Sequence, residues 1–146
     1  MPDKAFEHVI PFRRAQTHSG ETIWLPLVLV DLVQGSGSKT SLPLLFDTGA
    51  SVTVLRRELH HLLGVPSWDS GPMVATETAG GSAPVPAYQY EATLEFLGKS
   101  VRCPVHLMEL PPNPLYVGLF GRKLIFQEFG FGFWEGTREL YVTVTP

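Results

Sequence analysis

The sequence contains a single cysteine, Cys103, among 146 residues, which excludes an intrachain disulfide and a cysteine zinc cluster. No apolar run reaches the ~20 residues that a membrane-spanning helix requires. The longest apolar stretch, Ile23 to Val30, contains Pro26 and reads as a strand. Positive charge is also scarce: eleven Lys and Arg stand against fourteen Asp and Glu, a net charge of −3. Without a basic stripe to displace counterions, a general nucleic-acid surface is not expected. The opening residues, Met1 to His8, lack a basic region followed by an apolar core. No secretory signal is therefore read, and a cytoplasmic location is the expectation.

What the chain does have is punctuation. Fourteen Gly and thirteen Pro fall between short apolar runs, the pattern of an all-β domain with many turns. The length suits one domain with a sizeable core. Residues 1–20 are polar and irregular and read as an N-terminal tail or arm, with the folded domain over 21–146. Thr22 to Val33 and Lys39 to Phe46 are two strand-like runs around a Gly/Ser loop, a hairpin. That loop is not a phosphate cradle, because no Lys-Ser/Thr and helix follow it. Val52 to Leu55 reads as a short strand. Arg56 to Leu63 reads as helical, with Leu55, Leu59, Leu62 and Leu63 on one face, Gly64 as its stop and Pro66 beyond. His60 and His61 point about 100° apart on a helix and do not share a metal.

Further on, Met73 to Tyr88 is extended, breaks at Ala79 to Ser82, and returns through Pro84 and Pro86, whose missing N–H groups lie on one strand edge. Tyr90 to Met108 is a second hairpin, with Ala92, Leu94 and Phe96 inward and a turn at Gly98-Lys99. Cys103 keeps phase with Val101 and Val105, as a small buried residue does. His106 has the other parity, which argues against a Cys–His pair. Pro111 to Pro114 is a stiff loop. Phe129, Phe131 and Phe133 share one strand face, the mark of a core or a subunit interface.

The stretch Leu42 to Leu55 stands apart. An apolar run climbs to Asp47, a Gly turn follows at once, and a β-branched run leaves. Two buried strands meeting at a tight turn would hold Asp47 beneath the surface, where an ionised carboxylate is costly unless hydrogen-bonded or paired. Asp31, Asp69 and Glu77 have no such setting.

Phe46-Asp47-Thr48-Gly49-Ala50-Ser51, flanked by apolar residues, resembles the active-site motif of the aspartic proteases. A second element, Tyr116-Val117-Gly118-Leu119-Phe120-Gly121-Arg122-Lys123-Leu124-Ile125, resembles the apolar-apolar-Gly-Arg segment of the single-domain retropepsin type. With one Asp-Thr-Gly and this length, the chain is similar to retropepsins over roughly residues 20 to 146, and closer to their cellular and bacterial Asp-Thr-Gly-Ala-Ser relatives than to retroviral enzymes. The resemblance implies an all-β retropepsin-like fold: closed, barrel-like sheets, a flap hairpin, and one or two short helices, the second after Gly121. It implies a homodimer that hydrolyses peptide bonds through a water activated by two copies of Asp47. Like charges that close share one proton and titrate as a pair.

By the same resemblance, Thr48, Gly49, Ala50 and Ser51 form the supporting loop. Thr78, Ala79, Gly80 and Gly81 form the substrate-binding flap tip, and Gly121 and Arg122 lie under the active site. Peptide or protein is the substrate, without metal, other cofactor, nucleic acid or membrane as partner. One departure is visible: Ser51 stands where retroviral enzymes place an acid, so Arg122 lacks its usual partner. The alternative is a catalytically weak peptide-binding or dimerisation module that keeps the fold. Intact Asp47, Thr48 and Gly49 favour the enzyme.

Overall fold

The computed structural model describes residues 6–76 and 85–146. Strand β4 (Leu27–Val33) turns Val28, Val30 and Leu32 inward, and β5 (Lys39–Phe46) does the same with Leu42, Leu44 and Phe46. The two pair antiparallel from Leu27 opposite Leu45 to Val33 opposite Lys39. The period-2 alternation places each strand with one face in the core. The run expected from Thr22 to Val33 is not one strand. It divides at Pro26 into β3 (Thr22–Leu25) and β4, because proline has no N–H for the ladder. Strand β3 pairs instead with β2 (Arg13–Gln16) in a separate two-stranded ribbon.

The segment expected as a tail or arm is also partly built in. Strand β1 (His8–Pro11) pairs antiparallel with β12 (Glu139–Val144), which in turn pairs with β11 (Phe129–Trp134). The physical reason lies in partners more than a hundred residues away in sequence (His8 opposite Val142), which no local pattern reveals.

After β5, the chain continues through a loop to β6 (Thr53–Arg56) and a 3₁₀ helix, Arg57–Leu63, closed by Gly64 in the left-handed region at φ 71°. Leu59, Leu62 and Leu63 lean on the core as their spacing predicts, with a 3₁₀ rather than an α repeat. His60 and His61 each donate Nδ1–H to a backbone carbonyl, Val65 and Glu58 respectively. Strands β7 (Met73–Thr76), β8 (Val85–Phe96), β9 (Lys99–Met108) and β10 (Gly118–Phe120) complete the domain. The turn between β8 and β9 centres on Leu97 and Gly98, both at positive φ, rather than on Gly98-Lys99. This is the backbone of a tight two-residue hairpin. Lys99 is already in the strand, its ammonium 2.6 Å from Glu128 and 2.8 Å from the Thr145 carbonyl.

The large sheet runs β4-β5-β10-β6-β9-β8-β7 and closes on itself where Asp31 to Val33 of β4 pair with Thr93 to Glu95 of β8. Closure buries Leu44, Leu55, Leu94, Cys103, Val105, Leu107 and Phe120 almost completely. Each such aliphatic or aromatic side chain contributes about 1.5–3 kcal/mol on leaving water. The expected all-β, barrel-like architecture is the one observed. Among the described residues, no helix is long and apolar enough to cross a membrane.

Candidate active site

Strands β5 and β6 are consecutive in sequence but not adjacent in the sheet, because β10 lies between them, parallel to β5 and antiparallel to β6. The connecting loop, residues 47–52, must therefore cross over the end of β10. That end supplies its floor: the N–H of Asp47 bonds the Phe120 carbonyl at 3.2 Å, and the N–H groups of Arg122 and Lys123 bond the Ala50 and Ser51 carbonyls at 3.0 Å. Thr53, the buried polar residue of the core at 1% exposure, accepts the Gly121 N–H at 3.1 Å.

Such close passage leaves no room for side chains on the floor. A Cβ at Gly121 would stand 2.3 Å from the Val52 carbonyl, and one at Gly118 would stand 2.2 Å from the Val54 oxygen. Here the residue identity is set by space rather than by φ. The sequence reading expected a short helix after Gly121. The chain instead makes a series of turns, Ile125 and Phe126 both bonding back to the Arg122 carbonyl. Leu124 at φ 64° breaks the helical path.

Within the loop, Gly49 donates its N–H to Asp47 Oδ1 at 2.9 Å, and Ala50 N–H bonds the Asp47 carbonyl at 3.2 Å. Asp47 is half-buried, while Thr48, Gly49 and Ser51 are exposed. The expected placement beneath the surface is corrected accordingly. Phe46 is the last core position of β5, and the loop that follows it leaves Asp47 half-buried among the described residues. Asp47 forms no ion pair among the described residues, and neither does the exposed Arg122. Below the loop, Phe46 stacks on Phe126 (centroids 5.5 Å, planes 9° apart) and meets Phe131 at 4.5 Å and Phe133 at 5.1 Å. The aromatic stripe of β11 therefore passes under the acid and ends at the solvent-exposed Phe133, while Trp134 lies on the other face against Phe6 and Tyr141.

Beside the loop, Val52, Val54, Ala87 and Met108 form a second small apolar cluster, with Val74, Val85, Leu110 and Leu119 packed against it. This cluster joins the loop to the β7–β8 ribbon, whose register runs from Met73 opposite Tyr88 to Thr76 opposite Val85. Gln89 turns its N–H toward the Pro72 carbonyl, so the nitrogen of Pro86, of opposite parity, faces away from β7. On that side β9 has already ended, its last residue Met108 pairing with Ala87. A cavity of about 220 Å³ lies at the ribbon base, lined by Met73, Val74, Ala75, Val85 and Pro86. The flap-tip residues Thr78, Ala79, Gly80 and Gly81 lie outside the described residues.

Other candidate chemistry is weak. Cys103 is fully buried, and its thiol is pushed up to about 12, first by burial and then by the Glu91 charge. That is the opposite of an activated nucleophile. His106 meets Gln89 through Nε2 at 3.1 Å and, among the described residues, has no partner at Nδ1. Burial, and next the Lys123 charge, hold its pKa below the ordinary histidine value. Among the described residues, no group of three or more His, Cys, Asp or Glu is placed to hold a metal. Thr53 and Tyr90, which organise the loop floor and the ribbon base, were not singled out from sequence. Thr53 had a signal, a polar residue inside a buried run; Tyr90 had none.

A family model described as aspartyl protease matches residues 33–124. Among solved structures, a retropepsin-like aspartic protease from Rickettsia conorii matches with a TM-score of 0.57 and 18% identity, over 92% of this chain and 98% of that one. The EIAV protease complexed with the inhibitor HBY-793 matches with a TM-score of 0.49 and 21% identity, over 77% of this chain and 92% of that one. No curated protein matches. The fold is retropepsin-like.

Proposed function

The chain belongs to the aspartyl protease family, and from that footing we propose that it is an aspartic endopeptidase whose dyad is made of two Asp47 side chains from two copies. The observation that carries the reading is the crossing of the Asp47 loop over β10. It holds one carboxylate, anchored by Gly49 N–H, at an exposed rim with no ion-pair partner among the described residues. A two-fold axis beside the loop supplies the second carboxylate without further machinery. The surface there suits a second copy: β11 is the last strand of its sheet, and Phe133 extends the aromatic cluster under Asp47 into solvent. The domain is taken to span 21–146, with β1 and β2 added to it from the preceding segment.

In the dyad, the two carboxylates hold one proton between them. The ionised member takes a proton from water as the water oxygen attacks the peptide carbonyl carbon. The protonated member donates to the carbonyl oxygen, giving a neutral tetrahedral intermediate. Collapse returns a proton to the leaving nitrogen and breaks the C–N bond. Thr48 would tie the two loops together, and Gly49 would present its carbonyl to the substrate backbone. Gly121 and Arg122 keep the floor in place through their backbone. Thr78, Ala79, Gly80 and Gly81 are assigned to the substrate-facing tip of the ribbon.

The test is cleavage of a mixed peptide library by wild type and by Asp47→Asn, with the assembly state followed by sedimentation. Loss of cleavage in a variant that still dimerises is the expected result. Equal, negligible cleavage by both at acid and neutral pH would instead leave a peptide-binding or dimerisation module.

A further inference from the structure

Tyr90 sits on the inward face of β8 with Ala92, Leu94 and Phe96, its ring packed against the main core. Its hydroxyl, however, leaves the core and reaches the segment that feeds β7. The Gly71 N–H donates to it at 2.8 Å, and it donates to the Trp68 carbonyl at 2.7 Å. Ser67 O at 3.4 Å and Ser70 Oγ at 3.3 Å are its farther neighbours. A phenol has a single proton, and Ser70 spends its own on the Ser67 carbonyl at 2.8 Å. The Gly71 and Trp68 bonds are therefore the two that the hydroxyl can satisfy together.

The surroundings repeat the same attachment. A Cβ at Gly71 would lie 2.8 Å from the Tyr90 ring and 2.9 Å from the Gln89 carbonyl, so the loop is seated directly on β8. Gln89 N–H bonds the Pro72 carbonyl at 2.9 Å. Trp68 meets Tyr88 edge-on at 5.0 Å and carries the Arg57 guanidinium 5.5 Å from its centroid. Immediately after Pro72 the character changes: Met73 is 69% exposed, and β7 touches the rest of the domain through β8 and the cluster of Val74 with Val52 and Val54.

We propose that Tyr90 is a positioning residue: its hydroxyl fixes residues 68–71 to the core and thereby sets where β7 stands relative to the Asp47 loop. The proposal rests on the protease reading above, in which β7 and β8 flank the bound peptide. A ribbon set in the wrong place loses contacts with the peptide in the ground state and the transition state alike. Uniform loss of that kind raises KM and leaves kcat.

Tyr90→Phe keeps the ring and removes only the hydroxyl. The substrate is a peptide taken from the wild-type cleavage profile, and amide hydrogen exchange is followed in parallel. The expected result is a KM raised about three- to tenfold, the worth of an ordinary hydrogen bond, with kcat within about twofold. Faster exchange should be confined to residues 68–76 and 85–88, and Gly71→Ala, which displaces the same segment with the hydroxyl present, should give the same pattern. An unchanged KM, with kcat falling in step with the unfolding midpoint and protection lost evenly across β4, β5 and β8, would overturn the proposal. If wild type cleaves nothing, the protease reading fails separately and exchange alone decides: a local increase keeps Tyr90 as the anchor, and no change removes it.

Discussion

Gly121→Ala tests the central geometry, the passage of β10 beneath the Asp47 loop. The new methyl would sit 2.3 Å from the Val52 carbonyl carbon and oxygen and 2.7 Å from Thr53 N, whereas unbonded carbons rest about 3.5–4.0 Å apart. Relief requires a shift of about 1 Å or more, and the atoms in the way are backbone, which cannot swing aside. Moving them strains the Gly121–Thr53 bond at 3.1 Å and the Arg122–Ala50 bond at 3.0 Å. Overpacking costs about 1–3 kcal/mol, and two weakened hydrogen bonds add about 1 kcal/mol each. The expected loss is therefore about 3–5 kcal/mol, a large part of the 5–15 kcal/mol a domain usually has.

Urea unfolding at fixed protomer concentration, followed by the fluorescence of Trp24, Trp68 and Trp134, reads this directly. Gly35→Ala is the control, since nothing lies within 4 Å of a Cβ there, and its effect should stay within about 0.5 kcal/mol. If Gly121→Ala cost less than about 1 kcal/mol at unchanged slope, the loop could not lie on β10 as closely as described, and the account of why glycine stands there would be wrong.

Three further outcomes are expected. Thr53→Val removes the acceptor of the Gly121 N–H in a site 1% exposed; an orphaned buried donor should cost about 1–3 kcal/mol in the same urea assay. Cys103, buried and with its thiol pushed up to about 12, should resist iodoacetamide at pH 8 until urea unfolds the chain, as counted by mass spectrometry. His106 is held below its ordinary value of 6.5 by burial and Lys123. The unfolded chain therefore binds the proton first, and stability should fall as pH drops below about 6.5. Urea midpoints at pH 7, 6 and 5 should decline less steeply for His106→Gln than for wild type.

Much of this fold could be read locally. The alternation of Val28, Val30 and Leu32 and of Leu42, Leu44 and Phe46, the Gly64 stop, and the inward phase of Cys103 all follow from neighbours in sequence. The flanked Asp47 turn and the Gly118 to Gly121 segment could be read too, because close backbone approach demands glycine. What escaped depends on distance along the chain. Strand β1 finds its partner in β12, and the Tyr90 hydroxyl finds its loop some 20 positions back. Pro26 was visible, but its effect, sending β3 and β4 to different partners, required knowing that β2 would be available. The helix expected after Gly121 failed on a single residue, Leu124, whose left-handed backbone no propensity would assign to leucine.

The insertion of β10 between β5 and β6 also has a consequence in time. Thr53 and Gly121 are 68 positions apart, so as the polypeptide emerges from the ribosome the acid-bearing turn is made long before the strand on which it must rest. Until that later piece arrives, β5 and β6 have an empty slot where their neighbour belongs. A nascent chain thus carries Asp47 without its seat until Gly121 has been made, and the loop can settle only then.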